Sequence, residues 1–296
     1  DARKGVLTQT RRHSYVVSLL GIRKLVLAVN KMDLVDYSKD VFERIVAEYT
    51  AFAERIELKD IVAIPVSGLK GDNITSPSDH TPWYHGPTLM AYLETVEIED
   101  QLQQRPFRMP VQWVNRPNLD FRGFTGTIVS GTLAPGEKLR VLPSGRESRV
   151  ARIVTMDGDL EQAVAGQSVT ITLEDEIDVS RGDVLSTTDG PPGVADQFDV
   201  TIIWMADEPM LPGRPYWMKI GTKVVTATIT EPKYKVNVNT LEHLAAKKLD
   251  LNEIGVCNLS LDQAIAFDPY TENRDPFGFI LFHRLPNSAV GAGLAP

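Results

Sequence analysis

The sequence predicts part of a doubly wound α/β domain followed by two small antiparallel β-barrels, and three observations carry that prediction. Two short buried-strand patterns, Leu25-Val26-Leu27-Ala28-Val29 and Ile61-Val62-Ala63-Ile64-Pro65-Val66, flank a stretch in which Val41, Ile45, Tyr49, Phe52 and Ile56 recur at helical spacing. That order is a βαβ unit, whose strands run parallel and whose following loops emerge at one end of the sheet, where ligands of such folds bind. The helical period stops at Arg105-Pro106, and from there short alternating runs are punctuated by glycine, the pattern of closed antiparallel barrels.

In chain order, Asp1-Ala2-Arg3-Lys4-Gly5-Val6 reads as the tail of a strand and its turn. Gln9 to Leu20 reads as a first helix and Pro87 to Val96 as a last one, which gives a first domain of residues 1–104. Gly71 to Gly86 is a polar, proline-containing loop whose tip, Trp83-Tyr84-His85, is either a contact site or tucked onto the sheet, the tucked reading being preferred. Residues 105–190 form the first barrel, with Gly126, Gly131 and Gly136 evenly spaced, Pro135-Gly136 as a turn, and strands at Val150–Val154, Ser168–Leu173 and Asp183–Leu185. Pro191-Pro192-Gly193 marks a break. Residues 191–296 form the second barrel, with strands within Phe198–Met205, Met218–Ile229 and Phe277–Arg284, and Leu241–Lys248 as its one expected helix.

The most informative stretch is Asn30-Lys31-Met32-Asp33, placed where the first strand pattern ends. The Asp33 carboxylate can accept from both the ring N1–H and the exocyclic amine of guanine, a bidentate pairing that adenine cannot complete. Asn30 is expected to brace the loop and reach the base, with the Lys31 stem along the face of the base. A tetrapeptide is short enough to arise by chance, and a second element decides the reading: Ser67-Gly68-Leu69 follows the second strand pattern. The amides of Gly68 and Leu69 can donate to guanine O6, while the Ser67 hydroxyl holds its loop against that of Asp33. The alternative is that Asp33 and Ser67 merely cap local turns and helices.

No Gly-x-x-x-x-Gly-Lys-Ser/Thr loop occurs among the 296 residues, and no Asp-x-x-Gly candidate for magnesium precedes the first base loop. With Asp1 in place of a methionine, the expectation is a chain that lacks the first half of its nucleotide domain. No catalytic residue is assigned, and magnesium is expected only with GTP on a complete nucleotide domain.

This order of base loops and barrels resembles GTPases of the translation-factor class, in which the second loop usually reads Ser-Ala and Gly68 is a small departure. A sharper resemblance lies in Gln112-Trp113-Val114-Asn115-Arg116-Pro117-Asn118-Leu119-Asp120-Phe121-Arg122-Gly123-Phe124. That run is similar to the start of the first barrel in the large, GTPase subunit of bacterial sulfate adenylyltransferase. Ser67-Gly68-Leu69-Lys70-Gly71-Asp72-Asn73 is similar to that family's second base loop, and Glu272-Asn273-Arg274-Asp275, Phe279-Ile280-Leu281 and Val290-Gly291-Ala292-Gly293 to its closing strands. The resemblance implies a GTP-binding subunit that couples GTP hydrolysis to the joining of ATP and sulfate, partnered by a separate catalytic small subunit, with an adenylylsulfate kinase fused or separate. His283 stands where the family pattern has a carboxylate, and no function attaches to it. Two other classes remain open: an elongation-factor-like carrier of aminoacyl-tRNA, and a non-catalytic barrel scaffold.

Composition bounds these readings. With 43% apolar and 24% charged residues the chain is ordinary for globular protein, and a net charge of −8 disfavours non-specific nucleic-acid binding. No apolar run is long enough to span a bilayer, so no membrane partner is expected. The single cysteine, Cys257, cannot form an internal disulfide and suits a reducing cytoplasm as a buried apolar residue. Arg11-Arg12-His13 reads as a solvated helix face, Arg181-Gly182-Asp183 as a turn into a strand, and no metal spacing is found around His243. Assayed as magnesium-dependent phosphate release, the purified 296-residue chain is expected to show no GTP turnover; measurable turnover would contradict the reading of the missing loops.

Overall fold

A computed structural model describes residues 1–97, 102–270, 278–285 and 288–294. Part of the anticipated closing motif, Glu272 to Asp275, and Phe277 lie outside the described residues. Two compact units are present: residues 1–99 with 237–242, and residues 100–236 with 243–296.

In the first unit, α1 (Thr8–Leu19) leads to β1 (Lys24–Val29), α2 (Lys39–Arg55), β2 (Asp60–Pro65) and α3 (Leu89–Thr95). Residues 1–5 form turns and no strand, with Ala2 buried and its N–H donating to the Asn30 carbonyl at 2.8 Å. Ser38 caps α2 by accepting from the Val41 N–H at 3.3 Å, and Asp40 and Arg55 complement the helix dipole at its two ends. The helix buries Phe42, Ile45, Tyr49, Phe52 and Ala53. Leu25 and Leu27 of β1 and Ile61 and Ala63 of β2 pack into the same clusters. The two strands pair in parallel, Lys24 opposite Asp60 through Val29 opposite Pro65. Both chains therefore leave the sheet at the same level.

Arg11 does not sit on a solvated face. Its guanidinium lies 5.3 Å over the Phe52 ring and donates to Glu48 at 3.0 Å and to the Asn239 carbonyl at 3.3 Å. The tip of the 71–86 loop is tucked, as preferred: Trp83 Nε1 donates to the Tyr37 carbonyl at 3.2 Å, and its ring lies 5.3 Å from Phe42.

The second unit holds two large antiparallel sheets and a two-stranded one that pairs Thr132–Leu133 with Ala163–Val164. In the first, β3 (Arg108–Pro110), β4 (Trp113–Asn115), β5 (Gly123–Thr127), β6 (Lys138–Leu142), β7 (Arg146–Thr155), β8 (Ser168–Leu173) and β9 (Val184–Thr187) are ordered β3-β9-β6-β7-β8-β5-β4. The Arg108 N–H donates to the Ser130 carbonyl at 3.0 Å, and Val129 returns a bond to Arg108 at 2.9 Å, which brings the β3 edge back to the segment after β5. Gly131 is required there. Its φ is +79°, and a Cβ would stand 2.5 Å from the Phe107 backbone.

The second sheet is a closed barrel of six strands: β10 (Gly193–Trp204), β11 (Pro215–Ile220), β12 (Lys223–Val236), β13 (Ile254–Phe267), β14 (Gly278–Phe282) and β15 (Ala289–Leu294), with β11 paired to both β14 and β12. Within Met218–Ile229 the strands form a hairpin turning between Ile220 and Lys223. Cys257 is fully buried in this barrel's core, and burial pushes its thiol up to about 12. The expected helix at Leu241–Lys248 does not form. His243 and Leu244 pair instead with Val236 and Lys235, the His243 ring stacks on Tyr234 at 3.8 Å, and Leu241 adopts φ +62°. Leu, Ala and Lys favour helix locally, but eight residues cannot offset the cost of nucleation against a ladder and a ring stack. Among the described residues, no helix is long and apolar enough to cross a membrane.

Arg108 spans the two sheets. Its guanidinium donates to both Asp268 oxygens, at 2.8 and 3.2 Å, and to the carbonyls of Phe107 and Gly190, with both charged side chains nearly buried. Arg108→Ala is expected to destabilise the second unit by about 3–5 kcal/mol in urea unfolding, because it leaves the Asp268 charge in a dry setting; Arg108→Lys should recover only part of that, lacking the planar fork.

Candidate functional site

Two loops leave the parallel strand ends side by side. The first runs from Asn30 through a 3₁₀ turn, Met32–Val35, and the second from Ser67 to Asp72. Backbone bonds hold their roots together: Val66 N–H donates to the Val29 carbonyl at 2.9 Å and Met32 N–H to the Val66 carbonyl at 3.2 Å.

Two side-chain bonds then cross between the loops. Ser67 Oγ donates to Asp33 Oδ1 at 2.7 Å, and Asn30 Oδ1 accepts from the Gly68 N–H at 3.0 Å as well as from its neighbour Lys31 at 2.7 Å. Ser67 is fully buried, and its oxygen also accepts from the Lys70 N–H at 3.2 Å, so the hydroxyl is fixed from both sides. Asp33 Oδ2 has no hydrogen-bond donor among the described residues. The six residues singled out in the sequence, Asn30, Lys31, Asp33, Ser67, Gly68 and Leu69, thus lie on two adjoining loops, joined through Asn30–Gly68 and Ser67–Asp33.

Their parts differ from expectation in one respect. The Gly68 amide is taken by Asn30 and is not open to a ligand. The Leu69 amide has no acceptor among the described residues, and its side chain is 85% exposed. Lys31 sits in the left-handed region at φ +67°, and its ammonium lies 3.2 Å from the Asp1 carboxylate.

Sequence reasoning missed a second tier of residues. Asp72 closes the second loop, its carbonyl accepting from the Ser67 N–H at 3.3 Å. Its carboxylate accepts from Tyr37 Oη and Ser78 Oγ, each at 2.7 Å, and contacts His80 Nδ1 at 3.1 Å, while His80 stacks on Tyr37 at 4.6 Å. Burial works against the Asp72 charge, yet the hydrogen bonds from Ser78, Tyr37 and His80 hold its carboxyl below the ordinary carboxylate range. The bond to Asp72 pushes Tyr37 up to about 12. Buried Asn73 donates to the Pro65 carbonyl at 2.8 Å and to Thr81 Oγ1 at 2.9 Å, and accepts from the Ser78 N–H at 2.9 Å. The adjacent Asp72-Asn73 pair after Gly71 was the available signal, since both types form side-chain turns with local backbone.

The sheet, its paired loops and the barrels define the class: a translation-factor GTPase architecture. Family models agree along the chain, the elongation factor Tu GTP-binding domain over residues 1–121, elongation factor Tu domain 2 over 124–186 and the GTP-eEF1A C-terminal domain-like family over 197–295. Within that class the chain belongs to the sulfate adenylyltransferase subunit 1 family. It is 54% identical to the Aeromonas hydrophila sulfate adenylyltransferase subunit 1 over 294 residues, covering 99% of this chain and 62% of that protein. It is 52% identical to the bifunctional enzyme CysN/CysC of Xylella fastidiosa over 293 residues, covering 99% and 47%. The chain therefore spans less than two thirds of the length of these curated relatives. A solved structure of sup35 complexed with GDP superposes with a TM-score of 0.62 at 22% identity, covering 97% of this chain and 72% of that one, and shows the shared fold.

Gly68 does not require glycine. A Cβ there would meet only the Asn30 side chain at 3.6 Å, an ordinary contact, and its φ is not left-handed. Gly68→Ala is expected to raise stability by about 0.4–1 kcal/mol through the unfolded chain, read as a small rise in the thermal midpoint; a fall would show that the loop needs glycine.

Proposed function

We propose that the two loops bind the guanine base of GTP, within a GTP-binding subunit of sulfate adenylyltransferase. The observation that carries the reading is the Ser67–Asp33 bond: it orients one carboxylate oxygen and leaves the other without a donor among the described residues, on a loop joined to the one that carries the unpaired Leu69 amide. A carboxylate so placed accepts from the N1–H and amine of guanine, while an amide nearby donates to O6. Asn30 fixes the spacing of the loops, and the Lys31 stem covers the base.

In this reading residues 1–104 belong to the GTP-binding domain, and residues 105–190 and 191–296 are the two barrels that transmit its state. The phosphates and their magnesium are not assigned to residues of this chain. The coupled chemistry joins ATP and sulfate to adenylyl sulfate and pyrophosphate while GTP and water become GDP and phosphate. The phosphate–sulfate anhydride is strongly uphill, which gives the GTPase a thermodynamic purpose. A catalytic small subunit is the proposed partner in the cytoplasm, and the bifunctional relatives support a linked adenylylsulfate kinase in some family members.

The test uses a form extended to the length of the relatives. Asp33→Asn is expected to weaken GTP by about a hundredfold or more and to favour xanthosine triphosphate, because the amide donates where xanthine carries a carbonyl. Competition binding against both nucleotides checks this, and unchanged GTP affinity would remove Asp33 from the site. GTP-stimulated adenylyl sulfate formation with the catalytic subunit tests the wider assignment.

A further inference from the structure

We infer that Tyr37 and Asp72 are positioning residues for the nucleotide, forming a clasp that locks the two base loops together and sets how long a guanine nucleotide stays bound; this rests on the guanine reading above. Neither side chain hydrogen-bonds to the side chains of Asn30, Asp33 or Ser67.

Tyr37 ends the first loop, its N–H donating to the Met32 carbonyl at 2.9 Å. From there its hydroxyl reaches Asp72 Oδ2 at 2.7 Å. Asp72 ends the second loop through the bond from Ser67 N–H to its carbonyl, and Gly71 N–H donates to the Ser67 carbonyl at 2.8 Å. A single side-chain pair therefore joins the last residue of one loop to the last residue of the other. The cross-loop bonds of Asn30 and Ser67 lie at the opposite ends, so the two loops form a ring closed at both sides.

The first loop needs such a closure. Lys31, Asp36 and Tyr37 all hold left-handed backbone, at φ +67°, +51° and +52°, without being glycine. Conformations of this kind persist only where surrounding contacts over-determine them. Around the Tyr37 ring those contacts are the His80 stack at 4.6 Å and the bond to Asp72, and the carbonyl accepts from Trp83. Asp72 is also bonded through its other carboxylate oxygen, by Ser78 at 2.7 Å and by His80 at 3.1 Å, so it keeps partners when the Tyr37 hydroxyl is lost. Loss of the Tyr37 hydroxyl would free the loops at this end only, with the Asn30–Gly68 and Ser67–Asp33 bonds still holding the groups that read the base.

Fluorescent GDP release, followed by stopped flow in the extended form, tests this. Tyr37→Phe keeps the ring stack and removes only the hydroxyl; it is expected to speed GDP dissociation about tenfold, with the association rate and the preference for GDP over inosine diphosphate unchanged. Ser78→Ala removes an Asp72 contact that does not reach the first loop, and its dissociation rate is expected to stay within about twofold of the parent. The inference is overturned if Tyr37→Phe leaves release unchanged, or if Ser78→Ala speeds it equally. It is also overturned if Tyr37→Phe slows association and lowers the thermal midpoint together, as general loosening would. Failure of the guanine reading is separate: neither the parent nor Tyr37→Phe would bind guanine nucleotide, or Asp33→Asn would leave the base preference as it was.

Discussion

The parallel pairing of Lys24–Val29 with Asp60–Pro65 is the constraint on which the site depends. A parallel ladder forces a crossover, and here the crossover is a 17-residue amphipathic helix whose buried face covers both strands. With the register fixed, Val29 and Pro65 end level, and residues 34 positions apart in sequence, Asp33 and Ser67, come within a hydrogen bond. A register slip of one residue would turn every strand side chain to the other face and misalign the loop roots. Packing under the helix thus sets the geometry of a polar site that contains none of the core residues.

How much of this was legible in the sequence follows from the range of the interaction concerned. The helix at Lys39–Arg55 was readable because its buried face repeats every third or fourth residue, and the converging loops because a βαβ unit has only one way to fold. The Asn30 and Ser67 contacts were anticipated in kind, but the Gly68 amide is engaged by Asn30, which only the distance between folded loops reveals. Asp72 and Asn73 entered only through the second-loop resemblance, with no role assigned, and Tyr37 not at all, because their roles depend on how the 71–86 loop folds back, and no period encodes that. Leu241–Lys248 differs for another reason: its local propensity is helical, and pairing of His243 and Leu244 with the strand just before them, at Val236 and Lys235, overrides it.

The barrels show the same dependence on long-range closure. Their alternating strands were readable one by one, since burial alternates along β6 and β11 as the pleat requires. What could not be read is the Arg108–Asp268 pair, 160 positions apart, which crosses from one sheet to the other with its donors shared between Asp268 and two carbonyls. A buried pair is weak evidence for stability, because desolvation offsets much of the attraction. Its directional bonds do restrict how one sheet can meet the other.

Under the proposed guanine reading, recognition and retention of a base make different physical demands on the two loops. Reading guanine needs an oriented acceptor, and Asp33 is fixed by a hydroxyl that is itself buried and doubly bonded. Discrimination of this kind comes from leaving a site's polar group unpaired when the wrong base enters, and it survives modest changes in loop spacing. Residence depends on the barrier to opening the loops, which is set by contacts that must break before the base can leave. Those contacts lie around Asp72, outside the reading face, where a carboxylate held by three side chains stays ionised despite burial. If the clasp acts as proposed, substitution there alters how long a nucleotide is held without altering which nucleotide is held, because the two properties rest on different side chains.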